Sequence, residues 1–388
     1  MKAAAAAGLN GEALKRLNHA LARLVDAGRL PGAVWMIQRR GVAACFESLG
    51  RLDPVRGLPM RSDAIFRIYS MTKPIVSVAL MMLVDKGLVL LRDPVSKYLP
   101  EFVRARVGVE RAGQLELKVP NRAMTVHDLL RHTAGLTYEF LEPSAVRLLY
   151  SEAKLVGRDR SSAEHCTALA QLPLMHEPGS VWDYSRATDV LGRLVEVLSG
   201  QTLGEHLRDA IFEPLGMVDT GFDTPPEQHV RLAEPFTVNP DTGVPVSTFD
   251  ARVPAALENG GGGLLSTAAD YARFLQMLLN GGSLEGRRLL GRKTVEFMTA
   301  DHLGPLPRSG EVLPPGHGFG LGFAVKTALG EHTEPGSIGT YGWSGAAGTA
   351  FFVDPTEAMF AMIMVQAPGQ LDEVRELFRQ LVYAAIDD

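Results

Sequence analysis

Segments of strand character lie at the two ends of this 388-residue chain, and helical patterns fill the middle. Near the start, Ala33–Gln38 and Val42–Glu47 read as two strands joined by the short turn Arg39-Arg40-Gly41. Near the end, Gly320–Val325, Gly348–Asp354 and Ala358–Val365 read as three more. A helix follows from about Asp372 to Ile386, with Val374, Leu377, Phe378, Leu381 and Val382 as its apolar stripe. Between these ends, Thr125–Arg131, Ser161–Leu172, Ala187–Leu198 and Leu203–Phe212 have helical patterns, with Thr125 as an N-cap and Gly200 as a C-terminal stop. An opening amphipathic helix begins at Glu12, carries Leu14, Leu17, Leu21 and Leu24, and is ended by Leu30-Pro31-Gly32. The economical arrangement is an α/β domain made of 1–92 and 250–388 with a mostly helical domain, 93–249, inserted in it. A ligand site is then expected in the cleft between them. Segment 301–318, rich in Pro and Gly, reads as a long surface loop.

Composition removes several classes of function. The formal net charge is −5, so the basic excess expected of a nucleic-acid binder is missing. Two cysteines, Cys45 and Cys166, build neither a disulfide framework nor a four-cysteine zinc site. No His-Glu-x-x-His spacing occurs among the ten histidines. The longest apolar run, Pro74–Val84, is short of the roughly 20 residues that span a bilayer and reads as a buried helix. The alanine-rich start lacks the long apolar stretch of a secretory leader, so a cytoplasmic protein is expected. Nothing in the sequence sets an oligomeric state.

Three constellations carry possible chemistry. In Tyr69-Ser70-Met71-Thr72-Lys73-Pro74, Lys73 follows Ser70 by three residues. On a helix those positions share a face. Pro74 is tolerated only in a first turn, which puts Ser70 at the N-terminal end of the apolar helix behind it. There the backbone N–H groups favour developing negative charge. A serine hydroxyl needs a base, and a lysine serves if burial lowers its pKa toward neutrality. The second constellation is Glu177–Ser185, where Tyr184 is a candidate second base whose phenol would titrate below about 10 beside a cation. The third is Gly339–Gly348, four glycines in ten residues, suited to an edge strand offering N–H groups to a substrate carbonyl. Taken singly, each has an ordinary structural reading: a solvated helix face, a tyrosine under a loop, a glycine-rich hairpin. His127 and His132 read as structural hydrogen-bonding partners. No Gly-x-Ser-x-Gly elbow exists, because Ala346 stands where the last glycine would follow Ser344.

In order and separation these motifs resemble the penicillin-recognising serine hydrolases. The closer likeness is to the family VIII carboxylesterases, relatives of class C β-lactamases. Phe66–Pro74 looks like the family's nucleophile segment, Thr125–Leu136 like its helix-then-turn segment, and Gly260–Asp270 like its Gly-rich lead into a capped helix. The likeness runs from about residue 30 to 365. It implies a β-lactamase-like α/β fold, an antiparallel sheet flanked by helices with an inserted helical domain. It further implies that Ser70 is acylated, that Lys73 accepts its proton, and that Tyr184 shares that proton or activates the deacylating water. The oxyanion would lie between the backbone N–H groups of Ser70 and Ala346. No metal or cofactor is implied, and the partner is a small-molecule ester.

Two departures bear on substrate. Trp343-Ser344-Gly345 stands where β-lactamases usually have Lys-Thr-Gly, and Arg186 stands where class C enzymes have Asn. Both favour esters with apolar groups over anionic lactams. Tyr138 is expected at the pocket rim, and Trp343, Ser344, Gly345, Tyr138 and Arg186 are the expected substrate contacts. The leading expectation is hydrolysis of short-chain carboxylic esters. The alternatives are β-lactamase or D-alanyl-D-alanine peptidase activity, acyl transfer, and a binding protein on a retired fold.

Overall fold

The structure, a computed structural model, describes residues 2–369 and 372–388. Its centre is one antiparallel sheet of eight strands. In chain order these are β1 (Gly32–Arg39), β2 (Val42–Asp53), β3 (Leu58–Pro59), β4 (His317–Phe319), β5 (Ala324–Lys326), β6 (Tyr341–Ser344), β7 (Ala350–Asp354) and β8 (Met359–Val365). Their spatial order is β4-β5-β6-β7-β8-β1-β2-β3, so both ends of the chain meet where β8 pairs with β1. In that register Trp35 faces Ile363 and Met36 faces Met362.

The helices that matter below are α1 (Gly11–Asp26), α2 (Thr72–Asp85), α3 (Ala145–Glu152), α4 (Ala187–Ser199), α5 (Ala268–Leu279) and α6 (Asp372–Tyr383). Strand side chains alternate between faces, and here each face has its own cover. Ala33, Trp35, Ile37, Ala361 and Ile363 pack against Leu14, Leu17 and Leu21 of α1 and Val374, Phe378 and Val382 of α6. Val34, Met36, Phe360, Met362 and Met364 pack against Ile75, Val76 and Ala79 of α2 and Tyr271, Phe274 and Leu275 of α5. Every residue of β8 is buried, which is why its apolar run does not alternate with polar residues. Helix α2 is buried from Thr72 to Leu83, as expected of a helix apolar on all sides. Among the described residues no helix is long and apolar enough to cross a membrane.

The antiparallel, helix-flanked sheet matches the expected fold class, but several local expectations need correction. Gly320–Val325 is not one strand: Gly320 N–H donates to Phe323 O at 2.8 Å, and this turn separates β4 from β5. The opening helix ends at Asp26, with Gly28 in the left-handed region just beyond, ahead of Leu30-Pro31-Gly32. The alanine-rich start is itself a short helix, Lys2–Ala6. The glycine-rich β6 lies inside the sheet. Only Tyr341 and Gly342 pair with β5, so the outer side of Trp343 and Ser344 is left free. Segment 301–318 is not wholly surface, because Leu303 and Leu313 are buried against Trp182, Tyr184 and Phe319.

Candidate active site

Ser70 stands in a single 3-10 turn, Tyr69–Met71, that runs directly into α2. Pro74 falls in the first turn of α2, where a missing N–H costs no intrahelical bond. Tyr69 has φ +43°, a left-handed conformation that costs free energy in a residue with a Cβ and is often found at functional sites. Ser70 remains half-exposed.

Lys73 is buried directly behind it. Its three ammonium donors meet three acceptors: Ser70 Oγ at 3.1 Å, Tyr138 Oη at 3.1 Å and Gly261 O at 2.6 Å. Tyr184 Oη donates to Ser70 Oγ at 2.7 Å. The Lys73 Nζ also lies 4.7 Å from the Tyr184 ring centroid and 5.3 Å from that of Tyr138. The three side chains the sequence singled out, with Tyr138, thus share one cluster.

The electrostatics reverse one expectation. Burial acts to lower the Lys73 pKa, but the neighbouring phenols of Tyr138 and Tyr184 and the carboxylate of Asp189 outweigh it and raise it. The direction is opposite to the depression expected from sequence. Burial pushes the Tyr138 phenol upward against the pull of Lys73. His132 is held neutral, well below its ordinary range, by burial and then by the Lys73 charge. Its Nδ1 lies 3.0 Å from Ser185 Oγ, in keeping with a structural role.

Arg186, an expected substrate contact, is buried and paired. Its side chain is 6% exposed; Nη2 is 2.5 Å from Glu139 Oε1, Nε 3.2 Å from Glu139 Oε2, and Nη1 3.3 Å from Asp189 Oδ2. Its guanidinium also lies 5.2 Å from the Tyr138 ring centroid. Its charged donors are thus taken up by two carboxylates, and its face by an aromatic ring. Tyr138, expected at a pocket rim, sits inside the cluster instead, 8% exposed.

Sequence reading did not single out Asp189 or Gly261. Asp189 is buried, bonded through Oδ2 to His165 Nε2 at 3.3 Å. Burial works against its ionisation, but His165, Arg186 and Lys73 together lower its pKa to about 2. A Cβ on Gly261 would stand 2.2 Å from Asp189 Oδ1 and 3.1 Å from Tyr138 Oη, so only glycine lets this carbonyl reach Lys73. The run of four glycines at 260–263 was the available signal.

The end of β6 closes the other side. A Cβ on Gly345 would stand 2.3 Å from Ile68 O, so the turn after Ser344 lies hard against the segment leading to Ser70. Gly345 N–H donates to Thr349 O at 2.8 Å, and Arg375 of α6 holds the Gly345 carbonyl. Among the described residues neither the Ser70 nor the Ala346 N–H has a hydrogen-bond acceptor. Trp343 Nε1 approaches Tyr184 Oη at 3.4 Å, and its ring packs against Tyr184 and Phe319, 5.3 Å between centroids in each case. Beyond Trp343 and Ser344 opens a cavity of about 370 Å³, lined also by Val312, His317, Arg375 and Arg379, that does not include Ser70. Among the described residues no cluster of His, Cys, Asp or Glu side chains is placed to hold a metal ion.

The family described as Beta-lactamase matches residues 17–385 of the chain. Protein Rv1367c of Mycobacterium tuberculosis is 36% identical over 352 residues, 88% of this chain and 87% of that protein. Esterase EstB of Burkholderia gladioli is 33% identical over 391 residues, 95% of each. Among solved structures, EstCE1, described as a hydrolase with promiscuous acyltransferase activity, superposes with a TM-score of 0.79 at 26% identity. It covers 97% of this chain and 98% of its own.

Proposed function

Because this chain belongs to the β-lactamase family and is a serine ester hydrolase of its family VIII carboxylesterase type, we propose that it hydrolyses short-chain carboxylic esters through an acyl-enzyme on Ser70. The observation that carries this reading is the 2.7 Å approach of Tyr184 Oη to Ser70 Oγ, with Lys73 Nζ 3.1 Å from the same oxygen. Lys73 and Tyr184 act as a pair that holds one proton fewer in its reactive form. Lys73 keeps the positive charge, Tyr184 Oη takes the Ser70 proton, and the serine oxygen attacks the ester carbonyl. The Ser70 and Ala346 N–H groups receive the oxyanion, a contribution worth about 3–4 kcal/mol per donor in comparable enzymes. Tyr184 then returns the proton to the departing alcohol, and by the reverse path activates the water that releases the acid. The sequence reading gave proton acceptance to Lys73, with Tyr184 sharing the proton; the shorter contact with Ser70 Oγ favours Tyr184 as the acceptor.

The substrate is an ester with apolar groups. The partly buried Trp343 sets an apolar ring beside Tyr184, and no lysine stands in the third motif. Acyl transfer to alcohols is the second reading, supported by the activity described for EstCE1. We also propose that 1–92 with 250–388 form one α/β domain and 93–249 an inserted helical one. In support, all eight strands of the main sheet fall in the first two segments.

The test is turnover of p-nitrophenyl acetate and butyrate by wild type and Ser70→Ala. Loss of turnover, with an acyl adduct on the wild type seen by intact mass, is expected. Equal rates in the two proteins would sink the reading. Nitrocefin turnover that rivals ester turnover would rank lactam hydrolysis first.

A further inference from the structure

One buried guanidinium touches the residue immediately before each of the two phenols at Lys73. Arg147 of α3 donates from Nε to Thr137 Oγ1 at 3.0 Å, and from Nη2 to Asp183 Oδ1 and Oδ2 at 3.2 and 3.0 Å. Thr137 precedes Tyr138, and Asp183 precedes Tyr184. The same Nη2 reaches Ser309 Oγ at 3.2 Å, in the loop that carries Leu303 and Leu313 over the site. Nη1 is anchored on Glu142 O at 2.7 Å. The loop also runs beside the Tyr184 segment through its backbone: Trp182 N–H donates to Pro307 O at 2.9 Å, and Ser309 N–H to Trp182 O at 2.8 Å. From the other side His176 Nε2 lies 3.4 Å from Asp183 Oδ2, and Asp183 N–H donates to His132 O at 3.0 Å.

Arg147 and Asp183 are 5% and 1% exposed. Removing two charges from water is expensive, and a buried ion pair is commonly no more stabilising than an apolar pair of the same size. Stability alone therefore gives a poor account of this pair. Its contacts give a better one, since through its side chain Arg147 hydrogen-bonds to the Tyr138 segment, the Tyr184 segment and the 301–316 loop at once.

We infer that Arg147 and Asp183 are positioning residues for ester hydrolysis, setting the separation of the two phenol oxygens about Lys73 and docking the loop against them. The inference rests on the esterase reading above. A reaction that depends on a 2.7 Å contact between Tyr184 and Ser70 loses rate when that contact loosens, even though neither Arg147 nor Asp183 meets the substrate.

The test compares wild type, Arg147→Lys and the double variant Arg147→Met/Asp183→Asn, which removes the pair without leaving a lone charge. With p-nitrophenyl butyrate the double variant is expected to lose about 100-fold in kcat with KM little changed, and Arg147→Lys to recover part of the loss. A pair that only supported the fold would lower Tm and leave kcat of the folded protein alone, so a folded double variant with wild-type kcat overturns the inference. If the double variant does not fold, Thr137→Val and Ser309→Ala each cut one neutral contact, and wild-type kcat in both overturns it equally. If wild type turns over no ester, the esterase reading fails by itself. A crystal structure of the double variant then judges the clamp without turnover: a Tyr184 oxygen still bonded to Ser70 overturns it, and a displaced one upholds it.

Discussion

Tyr184→Phe removes one oxygen and leaves the ring against Trp343 and Lys73. Because that oxygen is the proton carrier in the proposed reaction, kcat should fall by about 10²–10⁴ with little change in KM. Steady-state kinetics on p-nitrophenyl butyrate check this, and a rise in KM with kcat unchanged would assign Tyr184 to binding. Gly261→Ala is expected to abolish turnover, since its methyl group would meet Asp189 Oδ1 and Tyr138 Oη and push the carbonyl off Lys73. Labelling by a fluorophosphonate serine probe should fall in parallel. At this scale the sequence was informative where spacing along one helix does the work: Ser70 and Lys73 are three residues apart on one helical turn and remain neighbours in space. It misled where a partner comes from elsewhere. Arg186 looked free for substrate because Glu139, which takes two of its donors, lies 47 residues away. The direction of the Lys73 shift was missed for the same reason, because Tyr138 and Asp189 reach it from other segments.

Individual elements obeyed their end signals. Thr125 caps the short helix Val126–Leu130 in a capping box with Asp128, and Gly200 ends α4 at φ +73°. Nothing stands within 4 Å of the Cβ that Gly200 lacks. Gly200→Ala should therefore act through backbone strain alone, costing about 1 kcal/mol and lowering Tm by a few degrees while kcat stays unchanged. Calorimetry together with an esterase assay checks both halves. Strand signals were less dependable. Gly320–Val325 has the composition of a strand, yet Gly322 takes φ +101°, and a Cβ there would stand 2.5 Å from Ser77 Oγ of α2. Its glycines serve a tight turn against the central helix, a purpose visible only once α2 is in place. The long β8 was readable because a strand buried on both faces needs no alternation.

The whole molecule should lose stability with acid in two stages. His127 is held down to about 4 from 6.5, first by burial and then by Arg131 and His302. Between those values the unfolded chain binds a proton that the native one refuses, so stability falls as pH drops through that window. Asp128 and Asp189 are lowered to about 2 from 3.8; burial opposes the shift, and Arg122 and Thr125 for the first, or His165, Arg186 and Lys73 for the second, overcome it. Their stabilisation is present above the unfolded value and is lost as pH falls from about 4 toward 2. Thermal melts from pH 8 to about pH 2 should show both stages, and His127→Gln should flatten the upper one. An unchanged slope in that variant would assign the upper stage to other histidines.

The union of the chain's two ends at the middle of its sheet also fixes when this protein can begin to work. Strand β1 pairs with β2 on one side and on the other with β8, which ends at Val365. The turn that closes the Ser70 site comes from residues 344–346, beside those same late strands. Contacts this distant in sequence are slow to form, so the sheet and the surroundings of Ser70 come together only after β8 has found β1.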